Sequence, residues 1–507
     1  MPDTYFITTP IYYVNDIPHI GHAYTSIATD FIARYKRMSG IKTMFLTGTD
    51  EHGQKIQKAA EKKSIEPIDL CDKNSAKFRE LTKILNLSND DFIRTTEKRH
   101  IEGAESLWNK LLDSDDIYLD YYKGWYSVSD ETFYNEKDLI KQNDDTFKTI
   151  TGGPVEWIEE ESYFFKLSKY SDKLLKLYEE YPNFIMPKSR KNEVISFVKS
   201  GLRDLSISRN TFDWGIKVPN DKKHIMYVWL DALSSYPNSL GYISNNNSEL
   251  SSYWSNTVHI VGKDILRHHA VYWPAFLMSA NLDLPKRIFA HGWWTNEGSK
   301  ISKSSGNAID PIEIIGQFGL DQIRYFLLRE ITFGSDGDFS ISALKSRINA
   351  DLSNDLGNLC QRSLTMIVKH CDSIVPSGSQ ITKSDKEFLS KISNDLIGFS
   401  SLVENQEINI YIKKIWDIVG EANKYFNDHK PWELKDSNKT MFENVLYVTA
   451  DIIKQIGVMI YPIMPDTSKK ILNFFLINEK NISLESLKIN IENKNIDNIK
   501  PLFPRVE

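Results

Sequence analysis

The sequence predicts a doubly wound parallel α/β sheet that carries a small α+β insertion and is followed by an all-α helix bundle. Three patterns predict it: a strand–helix–strand alternation over residues 5–47, the return of that alternation near residues 258–290, and a glycine-poor C-terminal third whose apolar residues recur at helical spacing.

Taken in order, Tyr5-Phe6-Ile7-Thr8 is β-rich, and Asn15-Asp16-Ile17-Pro18 reads as a turn. Apolar residues then fall at Ile20, Tyr24, Ile27, Phe31, Tyr35 and Met38, spaced by three or four as on one face of a helix. Gly40 suits the position after the helix end, and Thr43-Met44-Phe45-Leu46 reads as the next buried strand. A strand–helix–strand unit of this kind implies parallel strands joined by a right-handed crossover. Late in the chain Val258-His259-Ile260-Val261 and Ile288-Phe289-Ala290 read as strands flanking a helix from about Leu266 to Met278, so the two halves close one Rossmann-like sheet. Between them residues 117–224 are rich in aromatics and short turns, including Gly124-Trp125-Tyr126 and Gly152-Gly153-Pro154, and read as an insertion with its own small core. Helical periodicity marks Tyr411 to Phe426 and Met441 to Tyr461, whereas the Asn-, Ile-, Lys- and Glu-rich stretch from Asn478 to Ile499 is not assigned throughout. The boundaries implied are 1–116, 117–224, 225–310, 311–345 and 346–507.

Composition limits the function classes. With 507 residues the chain is long enough for about three cores. Hydrophobic residues at 41% and charged residues at 26% are those of a globular protein and not of a disordered or fibrous one. A net charge of −6 gives no whole-chain signature of nucleic-acid binding, so any such contact must be local. Cys71, Cys360 and Cys371 form no C-x-x-C pair, which signals neither a disulfide framework nor a thiolate zinc site and suits a reducing cytoplasm. No secretion signal and no membrane span are expected, since Lys454 and Gln455 interrupt the apolar stretch Ile452 to Met464.

Two segments carry chemistry. His19-Ile20-Gly21-His22 sits at the start of the first helix, directly after the first strand, with both imidazoles to one side at the positive end of the helix dipole, a place for phosphate oxygens. Gly21 has no side chain and would let a base or ribose approach the backbone. Lys300-Ile301-Ser302-Lys303-Ser304 lies between Gly298 and Gly306, where two ammonium groups on a hinged loop can close over a triphosphate. A lysine-rich loop standing alone would read as solvated surface; paired with the histidines it does not.

Together these segments resemble the paired signatures of class I aminoacyl-tRNA synthetases, with Ile301 where the second motif usually has Met, a swap of similar volume. Further segments are similar to methionyl-tRNA synthetases along nearly the whole chain: Thr8-Thr9-Pro10-Ile11-Tyr12-Tyr13, Thr47-Gly48-Thr49-Asp50-Glu51-His52-Gly53, Tyr227-Val228-Trp229-Leu230-Asp231-Ala232, Gly262-Lys263-Asp264-Ile265 and Pro501-Leu502-Phe503-Pro504-Arg505. The resemblance implies that Ile11, Tyr13, Trp229, Ala232, Leu233, Tyr236 and His269 enclose a methionine side chain while Asp50 pairs with its ammonium group. Aromatic walls suit a polarizable thioether, and Asp50 ends the second strand, where open α/β sheets bind ligands. Leu233 and Tyr236 would equally suit plain core packing. The resemblance further implies ATP contacts from His19, Gly21, His22, Lys263, Asp264, His291, Lys300 and Lys303, with His19, His22, Lys300, Lys303 and Ser304 as the catalytic set and Mg2+ arriving with ATP.

In the helical third, Asn358 and Arg362 stand at i and i+4, and Trp432 follows Pro431. Unstacked RNA bases are read by stacking and edge hydrogen bonds, and these positions match the family's readers of a CAU anticodon in tRNA(Met). The resemblance assigns 1–116 and 225–310 to the catalytic sheet, 117–224 to the connective insertion, 311–345 to a stem-contact connection and 346–507 to anticodon binding. Many relatives carry cysteine-ligated zinc in the insertion, but Ser127-Val128-Ser129-Asp130 and Thr151-Gly152-Gly153-Pro154 offer no thiolate, so no zinc and no other bound metal is expected. A chain stopping at Glu507 without an appended domain is expected to be a cytoplasmic monomer. Two other readings stay open: a coenzyme adenylyltransferase, whose chains are short and lack the lysine pair, and a non-catalytic RNA-binding relative, which would not need the histidines and lysines.

Overall fold

The computed structural model describes residues 3–128, 132–134, 136–142, 146–150, 152–244, 249–296, 299–300, 309–496 and 499–506. Two compact units emerge, one of residues 1–18 and 44–291, the other of residues 19–43 and 292–507.

The first unit is built on six strands: β1 (Thr4–Tyr13), β2 (Lys42–Asp50), β3 (Asp91–Arg94), β4 (Ile185–Met186), β5 (Thr257–Gly262) and β6 (Arg287–His291). They lie in the order β3-β2-β1-β5-β6-β4. The pairs β2–β3, β1–β5, β5–β6 and β6–β4 are parallel. This is the predicted doubly wound sheet. The strand order reverses between β1 and β5, and ligands of open α/β sheets bind beyond the carboxyl ends at that reversal. Tyr13, Asp50, Arg94, Gly262 and His291 are the last residues of five of these strands.

The insertion contributes a four-stranded antiparallel sheet in the order Leu205–Ser206, Glu156–Phe165, Ile117–Ser127, Thr132–Tyr134. Its long pair runs in register from Ile117 against Phe165 to Tyr126 against Glu156. The expectation of a separate small core does not hold. One continuous core joins Phe6, Leu46 and Trp108 to Phe165, Tyr170, Leu174 and Tyr178. Residues of the insertion also extend the main sheet, because Ile185 and Met186 pair with Ile288 and Phe289. A two-residue strand shows no periodicity, which hid this junction in the sequence.

The second unit contains the helix Ile20–Met38, followed by Ser39 as its cap and Gly40 at φ +78°, the left-handed position that glycine fills without strain. The predicted one-sided apolar face is too narrow, since Thr25, Ser26, Thr29, Asp30, Arg34 and Lys36 are buried as well. Their polar groups find partners. Asp30 accepts from Arg34 at 2.7 Å and from Arg324 at 2.6 Å, and Arg34 reaches the Tyr461 hydroxyl at 3.0 Å. Lys36 pairs with Glu404.

The C-terminal helices follow the predicted spacing. In Ile408–His429 the buried residues Ile408, Tyr411, Ile412, Ile415, Ile418, Val419, Ala422 and Phe426 form one stripe. Lys439–Met459 is buried on nearly every side, and the Asn438 side chain caps it by accepting the Met441 N–H at 3.1 Å. The stretch from Asn478 is held by its backbone: Val375 N–H donates to Lys494 O at 2.9 Å and Ile496 N–H to Ser373 O at 2.7 Å, with Ile491 and Ile496 buried. Among the described residues no helix is long and apolar enough to cross a membrane.

Candidate active site

At the carboxyl edge of the six-stranded sheet β2 delivers Asp50, 3% exposed, whose Oδ1 is buried and has no hydrogen-bond partner. Its carboxyl is held well above the ordinary carboxylate range, first by burial and then by the Asp231 charge, with the His52 backbone N–H opposing. A buried carboxylate oxygen without a donor is costly. It suits a cationic group brought by a ligand.

The residues predicted to enclose a side chain come from β1, the helix Val228–Ser239 and the segment after β5. Ile11, Ala232, Leu233 and Tyr236 are buried in one cluster, with Tyr13 and Trp229 packed against it. After Gly262 the chain makes a short turn at Lys263–Ile265, then the π-helical His268–Tyr272 and the helix Trp273–Ser279, where the sequence predicts one continuous helix. A π turn is a frequent mark of functional sites. His269 Nδ1 lies 3.0 Å from Ile265 O, and its Nε2 lies 2.7 Å from the Tyr236 hydroxyl. The carbonyl can only accept, so Nδ1 carries the proton and Tyr236 donates to Nε2. Burial holds the His269 imidazole down to about 4 and His259 and His268 well below their usual value, so all three are neutral at pH 7. Trp229 stacks on His268 with centroids 3.7 Å apart. These rings make an apolar, polarizable wall without net charge.

Gly262, Asp264 and His291 gather at the neighbouring strand ends. A Cβ on Gly262 would lie 2.5 Å from Asp264 Oδ1 and 4.0 Å from His291 Cε1, so the absent side chain is what lets Asp264 fold back over β5. The Lys263 backbone belongs to the same turn.

Behind Asp50 stands an arrangement for which the sequence reading had no role. Asp231 accepts from His52 Nδ1 at 2.7 Å and from His100 Nε2 at 2.5 Å, with all three side chains nearly inaccessible. Burial opposes the Asp231 charge, yet the two imidazoles outweigh it and draw the carboxyl down to about 2. His52 and Asp231 lie inside segments singled out from the sequence, but nothing near His100 marked it.

In the second unit, His19 caps the helix Ile20–Met38. Its Nδ1 accepts the Gly21 N–H at 3.1 Å, and His22 Nδ1 accepts the His19 N–H at 3.0 Å. With both Nδ1 atoms acting as acceptors from the backbone, the neutral rings carry their protons on Nε2. The rings lie 3.9 Å apart. The Ile20 N–H is taken by Ile309 O at 3.2 Å. First-turn amides are thus already used by acceptors within the chain, which leaves the imidazole Nε2–H groups as the donors at this helix start. The missing side chain at Gly21 also makes room for the His19 ring, which a Cβ there would meet at 2.9 Å. Lys300 ends the short strand Ser299–Lys300, paired through the backbone with Thr295; Lys303 and Ser304 lie outside the described residues.

On the helices, Asn358 opens Asn358–His370 and is exposed. Arg362 donates to Asn427 Oδ1 at 3.1 Å and lies 5.3 Å over the Phe426 ring and 5.4 Å over Trp432. Trp432 is 40% exposed and lies in the first turn of the helix Pro431–Ser437, after Lys430 takes the left-handed conformation at φ 42° and breaks the chain direction. Among the described residues no group of three or more His, Cys, Asp or Glu could hold a metal ion.

A family model described as tRNA synthetases class I (M) matches residues 5–143 and 141–364, and one described as anticodon-binding domain of tRNA ligase matches residues 385–501. The methionine--tRNA ligase of Rickettsia felis is 53% identical over 484 residues, covering 95% of this chain and 93% of the relative. That of Brucella suis is 50% identical over 475 residues, covering 94% and 92%. Among solved structures, Mycobacterium tuberculosis methionyl-tRNA synthetase in complex with methionyl-adenylate is 45% identical with a TM-score of 0.96, covering 99% of this chain and 100% of that one. The apo form of that enzyme is 43% identical with a TM-score of 0.89, covering 99% and 98%. Identity of this extent along the whole length, on a doubly wound sheet followed by a helix bundle, shows that the chain belongs to the methionine--tRNA ligases, a family of class I tRNA synthetases.

Proposed function

We propose that the chain activates L-methionine with ATP to methionyl-adenylate and transfers the methionyl group to the 3′ end of tRNA(Met), initiator and elongator alike. The observation that carries this reading is the partnerless buried oxygen of Asp50 beside a wall of neutral aromatic and imidazole rings. An α-ammonium group satisfies the carboxylate, and a thioether satisfies the wall. In this reading Ile11, Tyr13, Trp229, Ala232, Leu233, Tyr236 and His269 enclose the side chain.

ATP enters as its magnesium complex. The methionine carboxylate attacks the α-phosphorus, a carboxylate–phosphorus bond forms, and the bond to the pyrophosphate oxygen breaks. His19 and His22 donate Nε2–H to phosphate oxygens, and Lys300, Lys303 and Ser304 stabilise the charge that moves onto pyrophosphate. Lys263, Asp264 and His291 hold the adenosine side. No protein nucleophile is needed. The terminal adenosine hydroxyl of the tRNA then attacks the acyl carbon and releases AMP. The catalytic sheet in this reading is 1–116 and 225–310, the insertion 117–224, the connection 311–345 and the anticodon part 346–507, in a monomer that works in the cytoplasm.

Methionine pairs only with ionised Asp50, whose carboxyl in the unliganded chain is raised. Below that raised value, binding must release a proton. The rate constant kcat/KM for methionine is therefore expected to rise with pH through an acid limb lying above the ordinary carboxylate range, while kcat at saturating methionine loses that limb or shows it at lower pH. Pyrophosphate exchange measured across pH checks it.

Arg362, Trp432 and Asn358 read the anticodon, with Trp432 as a stacking surface kept partly exposed by Phe426 and Arg362. Loss of one base stack costs about 1–3 kcal/mol. Trp432→Ala is expected to lower kcat/KM for aminoacylation of a CAU-bearing tRNA by about five- to a hundredfold by that figure while pyrophosphate exchange stays unchanged. Equal loss in both assays would remove the anticodon role. Charging of a tRNA(Met) transcript with labelled methionine, set beside the same transcript with an altered anticodon, tests the reading as a whole; equal charging of both would contradict it.

A further inference from the structure

We infer that His52, Asp231 and His100 form a bracket that holds Asp50 and Tyr13 in register for the α-ammonium group of the amino acid, so that all three are positioning residues for methionine. The inference rests on the reading of Asp50 as the ammonium partner.

His52 is where the contacts meet. Its backbone N–H lies close enough to the Asp50 carboxyl to favour the ionised form. Its carbonyl accepts the Tyr13 hydroxyl at 3.0 Å. Its ring donates from Nδ1 to Asp231 at 2.7 Å. One residue thus orients an acidic and an aromatic member of the proposed pocket, and its own ring has one direction. Asp231 is fixed in turn by His100 on the helix Lys98–Asp113. His100 Nδ1 is buried without a partner, the lone pair left when Nε2 carries the proton toward Asp231. The helix packing is close enough to make the geometry stiff: a Cβ on Gly103 would lie 2.0 Å from Asn238 Oδ1, and Asn238 Nδ2 donates to His100 O at 3.2 Å. Trp214 closes the other side of His52, ring edge to ring at 5.5 Å, and donates to Glu51 O at 2.5 Å.

An ionised carboxylate is an odd neighbour for Asp50 if its purpose is only to fill space. The charged and titratable groups facing Asp50 are Asp231, Glu51 and His52, with Tyr236 and Cys71 from other elements. Arg94 engages Glu51 through two bonds of 2.7 and 2.9 Å, which leaves Asp231 as the foremost charge acting on Asp50. It strengthens the local demand for a cation while its own charge is shared between two imidazole donors.

The test uses the full chain with Asp231→Asn, His100→Ala and His100→Gln, the last chosen because its amide nitrogen stands where Nε2 stood. Each is assayed by pyrophosphate exchange, with L-methioninol, which keeps the ammonium group, and 4-(methylthio)butanoate, which lacks it, as competitive inhibitors. Residues that orient a ligand-binding side chain typically matter about ten- to a hundredfold. Asp231→Asn and His100→Ala are expected to raise the methionine KM and the methioninol inhibition constant by about that factor, to leave the ATP KM and the butanoate constant unchanged, and His100→Gln to restore most of the loss. The acid limb of kcat/KM for methionine moves to lower pH in Asp231→Asn, because removal of a like charge eases ionisation of Asp50. Added to Asp50→Asn, Asp231→Asn does nothing further. Parallel weakening of both inhibitors, failure of His100→Gln to restore, or additivity with Asp50→Asn would overturn the inference. Should Asp231→Asn not fold, the pair at His100 decides alone. If Asp50→Asn itself keeps the methionine KM, the ammonium assignment falls; if Asp50→Asn loses methionine and the bracket variants do not, only the bracket falls.

Discussion

Asp50→Asn is expected to lower kcat/KM for methionine in pyrophosphate exchange by about thirtyfold to several thousandfold, because truncating one member of a buried charge pair costs about 2–5 kcal/mol. The loss should fall mainly on the methionine KM, with the ATP KM unmoved, since the contact exists before the transition state is reached. The substitution keeps the shape and removes the charge. The variant should also remain folded: in the unliganded chain Asp50 Oδ1 makes no hydrogen bond, and burial already disfavours its charge, so the folded state gains little from the carboxylate. A methionine KM within threefold of the parent would exclude Asp50 as the ammonium partner.

The second large effect is expected at the helix start. His22→Asn can keep an acceptor for the His19 N–H, now made by His22 Nδ1 at 3.0 Å, while the Nε2–H donor is lost. Removal of one preorganised donor to developing charge costs about 3–4 kcal/mol, so kcat for exchange should drop roughly a hundred- to a thousandfold. The melting temperature should move little, because the cap survives. A large fall in melting temperature with a small fall in kcat would instead make the pair of histidines a capping device, and the phosphate role would be lost.

Much of this architecture was legible because local pattern and fold agree. The buried run at Thr43 to Leu46 belongs to a strand that ends in Asp50, and the spacing from Tyr411 to Phe426 is that of the helix observed there. The junction of the insertion with the main sheet was not legible, since Ile185 and Met186 are too few to show a period. Nor was the all-round burial of Ile20–Met38, where Arg324, far along the chain, supplies a charge that lets Asp30 be buried. In the site itself, Asp50 could be picked out from its place on a strand, but its missing partner is a fact of three dimensions. His19 and His22 announced themselves by spacing, yet which nitrogen carries the proton follows only from the caps they make. The bracket at Asp231 joins residues 179 and 131 positions apart, His52 and His100, a separation at which no local pattern forms.

In the proposed reading the pocket beside Asp50 selects methionine for activation by ATP. Amino-acid-dependent ATP–pyrophosphate exchange across the twenty standard amino acids tests it most directly. Methionine is expected to give the highest kcat/KM, with smaller or branched aliphatic amino acids behind it by at least the roughly tenfold that one methylene of fit is worth. Faster exchange with leucine, isoleucine, valine or any other amino acid than with methionine would contradict it.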